Sequence, residues 1–202
     1  MNGQETEVKF YVRQIKRVEG RLQALGARLI QARVHEVNLR FDLPDGSLRR
    51  EEKVLRLRQD TQTRLAYKGP SQQTDGVLSR VEFETAVDDF EAARDLLEAL
   101  GYSVVATYEK YRSTYELGAL HIMLDELPYG DFVEIEGPDV TALQKVSEEL
   151  GLDFSTAIPA NYLILFERLC QVRELNPTQL TFPALEGMKI KAEELFVRPA
   201  DK

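Results

Sequence analysis

Charged side chains recur at a spacing of two residues in four short segments of the chain. The segments are Glu5-Thr-Glu7-Val-Lys9, Arg56-Leu-Arg58, Arg80-Val-Glu82-Phe-Glu84 and Glu134-Ile-Glu136. In a β-strand, residues i and i+2 point to the same face, so each segment predicts a strand with a charged face and an apolar face. If these charged faces converge on one space, carboxylates can bind a divalent cation there while Arg and Lys bind phosphate groups.

The candidate residues form an acidic set and a basic set. Mg²⁺ and Mn²⁺ prefer a few oxygen ligands, which the pair Glu5 and Glu7 and the pair Glu134 and Glu136 can provide. Arginine matches phosphate oxygens with two parallel hydrogen bonds, and lysine adds a point charge. The acidic set is Glu5, Glu7, Glu82, Glu84, Asp125, Glu134 and Glu136. The basic set is Lys9, Arg40, Arg56, Arg58, Lys68, Arg80, Lys110 and Arg112.

The elements that would position these side chains follow from alternation, helical periodicity and turn residues. Strands are predicted at 4–13, 28–43, 53–60, 63–69, 78–87, 102–115, 118–127 and 131–137. Helices are predicted at 14–26, from Asp88 or Asp89 to 100, at 139–151, at 161–173 and, as a last short one, at 183–195. Strand, helix, Ala-Leu-Gly and long strand occur twice in this order, which indicates a weak internal repeat.

About eight strands are enough to close a barrel with room for one ligand. If the charged faces point inward, the apolar outer faces need a cover, which the helices can provide. The sequence therefore predicts an α+β fold: an eight-stranded antiparallel β-barrel, or tunnel, with a charged lumen and helices packed outside.

Composition narrows the class of protein. The chain has 202 residues, of which 43% are hydrophobic and 30% charged, as expected of a soluble globular protein with a core. Its net charge of −8 argues against nucleic-acid and acidic-membrane partners. Cys170 is the only cysteine and His35 and His121 are the only histidines, which excludes an intramolecular disulfide and Cys-rich or His-rich metal sites. No signal peptide or membrane-spanning run is recognisable, so we expect a cytoplasmic protein.

Six motifs in order resemble the CYTH superfamily, also called triphosphate tunnel metalloenzymes. Glu5-x-Glu7-x-Lys9 resembles the E-x-E-x-K signature of that family, and the later motifs are VLRLRQD, LAYKGP, SRVEFET, YEKYRSTY and IMLDELPYGDFVEIEG. The resemblance covers about residues 4–137 and is closest to class IV adenylate cyclases and their archaeal relatives. It implies a CYTH domain at 1–175, followed by a C-terminal helical extension at 176–202.

The resemblance also implies a role for each candidate. Glu5, Glu7 and Lys9 would be catalytic. Asn38-Leu-Arg40-Phe-Asp42 departs from the Asp-x-Tyr-Phe-Asp of many relatives, and makes Arg40 one more candidate phosphate ligand. The implied metal ligands are Glu5, Glu7, Glu134 and Glu136, with Asp125 nearby. The implied substrate-binding residues are Lys9, Arg56, Arg58, Lys68, Lys110 and Arg112, to which the basic set adds Arg40 and Arg80. Glu82 and Glu84 would hold basic side chains in place.

The implied activity is that of a Mg²⁺- or Mn²⁺-dependent enzyme acting on a nucleoside or inorganic triphosphate. The favoured reaction is that of an adenylate cyclase, which converts ATP to cyclic AMP and pyrophosphate. The alternative is a triphosphatase that hydrolyses thiamine triphosphate or inorganic tripolyphosphate. A non-catalytic polyphosphate sensor is a third class, but a pure anion binder would not need so many acidic residues. Relatives are often dimers, so a homodimer is also an expectation.

Overall fold

The computed structural model describes residues 3–70, 72–74 and 77–201 of the protein, with side chains for 6–70, 72 and 80–201. The side chain of Glu5, a predicted catalytic and metal-binding residue, lies outside the described residues, although its backbone belongs to the first strand.

The elements follow the predicted order, with three short additions. The strands are β1 Gly3–Val12, β2 Arg28–Asp42, β3 Val54–Gln59, β4 Thr63–Lys68, β5 Gln72–Thr74, β6 Val77–Val87, β7 Ser103–Leu117, β8 Leu120–Leu127, β9 Gly130–Glu136 and β10 Gln179–Leu180. The helices are α1 Ile15–Ala24, α2 Ser47–Arg50, α3 Phe90–Ala99, α4 Val140–Glu149 and α5 Tyr162–Arg173. The one-turn helix α2 and the short strands β5 and β10 were not predicted.

Antiparallel pairing runs around a ring of strands. The order is β1-β9-β8-β7-β2-β3-β4-β6, and β6 pairs in turn with β1, where Glu5 lies opposite Arg80. Within the described residues, β5 is added beside β6, and β10 pairs in parallel with β7. The predicted α+β fold with an antiparallel barrel is therefore confirmed.

Apolar side chains of the strands pack under the helices in three clusters, two of which lie on the outer strand faces. Helices α1 and α4 cover β1, β8 and β9 through residues such as Val18, Leu22 and Leu143. Helix α3 covers β2 and β3, where Leu97 packs with Leu57. Helix α5 packs with the C-terminal segment and the β8–β9 turn. Because the apolar side chains are used on the outside, the alternate charged side chains face the interior of the ring.

Glycines end the first helix of each half in the same way. Gly26 and Gly101 follow the last residues of α1 and α3 with φ angles of 76° and 93°, a conformation that favours glycine. Asp89 caps α3 by accepting a hydrogen bond from the backbone N–H of Ala92. The repeated Ala-Leu-Gly therefore turns the chain from each helix into the long strand that follows.

The single helix predicted at 183–195 is wrong. Two short 3₁₀ turns, Pro183–Leu185 and Ala192–Leu195, occupy this region, and Gly187 between them has a φ of 75° that a helix cannot continue through. Leu180, Leu185 and Leu195 are buried in the same cluster as α5. No helix in the described part of the chain is long and apolar enough to cross a membrane.

Candidate active site

A cavity of about 280 Å³ lies inside the ring of strands, and charged side chains dominate its lining. All eight predicted substrate-binding residues line it, together with five of the predicted acidic residues. The basic residues are Lys9, Arg40, Arg56, Arg58, Lys68, Arg80, Lys110 and Arg112. The acidic residues are Glu7, Glu82, Glu84, Glu134 and Glu136. The structure thus brings charged residues from seven strands into one space.

Strand register explains which charges meet. On β1 and β9, Lys9 lies opposite Glu134 and Glu7 opposite Glu136. On β2 and β3, two cations lie side by side, because Arg40 is opposite Arg56. These pairs are cross-strand neighbours, so their side chains interact directly.

Two glutamates on β6 hold cations of the basic hairpin β3–β4. Glu84 accepts a hydrogen bond of 2.8 Å from Arg58, and Glu82 forms an ion pair of 2.8 Å with Lys68. Arg58 also lies 3.5 Å from Glu36, a carboxylate on β2 that is almost fully buried. These contacts fix the cations in place, as the sequence predicted for Glu82 and Glu84.

Arg40 differs from the other lining cations. Among the described residues no carboxylate lies within salt-bridge distance of it, whereas its buried Nε lacks a hydrogen-bond partner just as those of Arg56, Arg58 and Arg80 do. Burial lowers the pKa of Arg40, as do the positive charges of Arg56 and Arg80, while Tyr108 and Asp42 act in the opposite direction. A half-buried guanidinium without an ion-pair partner is a site where an anion would be stabilised.

The opposite side of the cavity holds a tight network of opposite charges. Glu134 forms an ion pair of 3.0 Å with Lys9 and one of 2.5 Å with Arg112. Burial alone would raise the pKa of Glu134, but Lys9, Arg112 and Lys110 hold it well below its usual range. Burial alone would lower the pKa of Lys9, but Glu134 and Glu7 raise it. Glu134 is therefore ionised and Lys9 protonated at neutral pH.

Asp125 lies behind this network, with no exposed surface. Its carboxylate accepts hydrogen bonds from Arg112, at 2.6 Å, from Lys110, at 3.2 Å, and from the Tyr162 hydroxyl, at 2.6 Å. Asp125 is not among the residues that line the cavity, so its role beside a metal stays a prediction.

The donor chemistry of the acidic side fits a divalent cation. Glu7 and Glu136 are direct cross-strand neighbours, so their like charges repel, and Arg80 lies 3.4 Å from Glu7. Their carboxylate oxygens are the ligands that Mg²⁺ and Mn²⁺ prefer. Among the described side chains, no three potential ligands already cluster as a metal site. The residues that would hold the ion are therefore Glu7 and Glu136, with Glu134 beside them and Glu5 next along β1.

Sequence reasoning missed part of the lining. Behind the lining, the buried Glu36 pairs with Lys110 at 3.4 Å, and no role was predicted for it. Tyr108, Asn161 and Tyr162 line the cavity as well. Tyr162 belongs to α5, far along the chain from the charged strands, and no local pattern distinguishes it from a core tyrosine.

The chain belongs to the CYTH domain family, which it matches over residues 3–154. It is 29% identical over 177 residues to the adenylate cyclase CyaB of Aeromonas hydrophila, covering 81% of this chain and 89% of that protein. A Methanocaldococcus jannaschii protein with the provisional name of an adenylate cyclase is 28% identical over 151 residues, covering 72% of this chain and 85% of that one. The solved structure of PH1012 from Pyrococcus horikoshii superposes with a TM-score of 0.68 at 26% identity, covering 78% and 96% of the two chains.

Proposed function

We propose that the protein is a Mg²⁺- or Mn²⁺-dependent enzyme that acts on a triphosphate inside the barrel. One observation carries the proposal: a single cavity is lined by eight basic and five acidic side chains. The basic side chains match the phosphate oxygens, and the carboxylates match the cation that accompanies them.

The side chains divide this work between them. Arg40, Arg56 and Arg58, with Lys68, bind and orient the phosphate chain from the basic hairpin and β2. Lys9, Lys110, Arg112 and Arg80 bind it from the other strands, where nearby carboxylates hold them in place. Glu5, Glu7, Glu134 and Glu136 hold the divalent ion, with Asp125 nearby.

The bound ion supplies neutralisation of phosphate charge and a lower pKa for an attacking hydroxyl or water. Phosphoryl chemistry depends mainly on positioning and on charge stabilisation. The protonated Lys9 and Arg112 lie where they can stabilise negative charge that develops on phosphate oxygens. Since Glu134 holds both, the cations do not need to reorganise as the reaction proceeds.

The favoured reaction is that of an adenylate cyclase. The 3′-hydroxyl of ATP attacks the α-phosphorus, the bond from this phosphorus to the bridging oxygen breaks, and pyrophosphate leaves as cyclic AMP forms. The names of the Aeromonas hydrophila and Methanocaldococcus jannaschii relatives and the class IV motifs of the sequence support this reaction.

The size of the cavity favours a second candidate, a triphosphatase. About 280 Å³ lies just below the range for ligand pockets, roughly 300–1,000 Å³, and suits a phosphate chain better than a whole nucleotide. In this reaction water attacks the terminal phosphorus of thiamine triphosphate or inorganic tripolyphosphate, and orthophosphate is released.

A product assay tests the proposal. Purified protein is incubated with Mg²⁺ or Mn²⁺ and with ATP, thiamine triphosphate or tripolyphosphate, and the products are separated by chromatography. Cyclic AMP with an equal amount of pyrophosphate identifies the cyclase, whereas orthophosphate without cyclic AMP identifies the triphosphatase. A chelator should abolish turnover, and added Mg²⁺ or Mn²⁺ should restore it. Turnover of none of the three compounds, or turnover that persists in chelator, contradicts the proposal. Cytoplasmic location and a homodimer stay predictions.

A further inference from the structure

One end of the lumen is closed by residues that do not belong to the barrel strands. In a closed ring of strands, a side chain from outside the ring can reach the lumen only through an end. Asn161, Tyr162 and Leu163, at the start of α5, nevertheless line the cavity. The approaching segment is fixed to β1, because the Ile158 N–H donates to the Lys9 carbonyl and the Lys9 ammonium donates to the Ala160 carbonyl.

At this end the inward-facing positions of three strands change from charged to apolar. Moving two residues along each strand toward this end, Lys9 is followed by Tyr11 on β1 and Asp125 by Leu127 on β8. On β9, which runs the other way, Glu134 is preceded by Phe132. Leu127 and Phe132 are buried in the α5 cluster, and Tyr11 packs against that cluster. This end of the lumen is therefore filled by side chains.

At this filled end of the lumen, Tyr162 is the residue that faces the charged side chains. Its hydroxyl donates a hydrogen bond of 2.6 Å to Asp125, and its ring lies 4.4 Å from the Lys9 ammonium and 5.1 Å from that of Lys110. Phe132 supports the ring edge-on at 5.2 Å, and the Tyr129 hydroxyl donates to the Tyr162 carbonyl at 2.8 Å. Contacts to its ring, its hydroxyl and its backbone carbonyl thus hold Tyr162 in place.

We propose that Tyr162 is the end wall of the tunnel and limits the length of the linear phosphate chain that the tunnel accepts. This inference rests on the proposed function. The chain enters from the opposite end, and its terminal phosphate meets Lys9 and Lys110 in front of the Tyr162 ring. A further phosphate has no room beyond the ring, because Phe132 and the α5 cluster fill the space behind it.

The test compares the binding of two inorganic anions, tripolyphosphate and tetrapolyphosphate, by titration calorimetry in EDTA so that turnover does not interfere. Tyr162→Leu keeps an apolar side chain in the cluster but withdraws the ring and hydroxyl from the lumen. We expect the affinity ratio of tetrapolyphosphate to tripolyphosphate to rise about tenfold, the effect of one added charge-assisted hydrogen bond. Tyr162→Phe retains the ring and should leave the ratio unchanged.

Tyr115→Leu is the matched control. Tyr115 is a buried tyrosine of the α1 and α4 cluster whose hydroxyl donates to Glu19, and it is not part of the lumen. Its substitution should lower stability without changing the affinity ratio. If Tyr162→Leu does not fold, Tyr162→Trp is measured instead. The larger indole side chain should extend further into the lumen and lower the affinity ratio of tetrapolyphosphate to tripolyphosphate.

The outcomes separate the inference from the proposed function. If the wild-type protein binds tripolyphosphate but the ratio is the same in all folded variants, the end wall is overturned and the proposed function stands. If the wild-type protein binds neither anion in EDTA, the lumen cations do not by themselves hold a phosphate chain and the end wall is overturned, whereas the proposed function is decided by the product assay with metal present. A changed ratio in the Tyr115→Leu control would also overturn the assignment to Tyr162.

Discussion

The two halves of the barrel have the same element order but opposite charge on their hairpins. The first half runs β1, α1, β2, β3 and β4, apart from the short helix α2, and the second runs β6, α3, β7, β8 and β9. The hairpin β3–β4 brings Arg56, Arg58 and Lys68 into the lumen, whereas β8–β9 brings Glu134 and Glu136. One structural pattern used twice therefore gives a lumen with arginine and lysine on one hairpin and glutamate on the other.

The hairpins also differ in how deeply they are buried. Helices α1 and α4 cover the acidic hairpin on its outer face, and α5 packs at its turn, whereas α3 packs on the basic one. On β6, beside the basic hairpin, Val81 and Phe83 leave 51% and 47% of their surface exposed. The lumen charges themselves are about equally buried, because Arg56 and Lys68 are 13% and 8% exposed and Glu134 is 9% exposed. The expected contrast is therefore one of chemistry: changes at the carboxylates, which would hold the metal ion, should affect turnover, and changes in the basic hairpin should mainly affect binding.

The largest expected effect is on the acidic hairpin. Glu136→Gln keeps the shape of the side chain but removes one of the two facing carboxylates, so kcat should fall by about a hundredfold or more at saturating substrate. Steady-state kinetics over a range of Mg²⁺ concentrations measures this loss. Glu116→Gln, in an exposed ion pair with Arg28 outside the lumen, is the control and should retain activity. A kcat within twofold of wild type would remove Glu136 from the metal site.

On the basic hairpin, Arg56→Ala should raise KM about tenfold or more while kcat changes much less, because a charge-assisted contact to phosphate is lost. Arg28→Ala is the control. It removes the ion-pair partner of Glu116 outside the lumen and should leave KM and kcat unchanged. A fall in kcat equal to the fall in kcat/KM would show instead that Arg56 acts in the transition state, and the contrast between the two hairpins would fail.

Arg40 should show effects of opposite sign on binding and stability. Arg40→Met removes a cation with no acidic partner among the described residues, so affinity for tripolyphosphate should fall about tenfold in calorimetry. Without anion, relief of repulsion from Arg56 and Arg80 should raise Tm by about 2–4 °C. A lower Tm together with unchanged affinity would mean that Arg40 is structural.

The smallest effect is expected at Asp131, just after the turn of the acidic hairpin. Burial, then the neighbouring Glu126, raises the pKa of Asp131 to about 6. Because this value lies above that of the unfolded chain, ionisation of Asp131 costs stability as the pH rises above about 4 and most fully above about 6. Asp131→Asn should therefore raise Tm by about 2–4 °C at pH 8, allowing for partial exposure, and by nothing at pH 4. Thermal melts at the two pH values check this, and an equal shift at both would exclude ionisation as the cause.

Local patterns predicted much of the fold and the charged lining. Alternation along each strand put Arg56, Glu84 and Glu134 on charged faces, because side chains of a strand alternate strictly. The repeated Ala-Leu-Gly placed the ends of α1 and α3, since glycine readily adopts a positive φ. The C-terminal region was harder to predict. There, packing against α5 outweighs local periodicity, and Gly187 divides the predicted helix into two turns.

The sequence by itself determined the family, the alternation of the strands and the chemical types of the lumen residues, because all of these depend on near neighbours in the chain. Only the tertiary structure decided which charges meet. Ring closure brings Glu7 beside Arg80, leaves Arg40 without an acidic partner among the described residues, and brings Tyr162 to the end of the lumen. These contacts join residues far apart in sequence, and strand register and helix packing fix them.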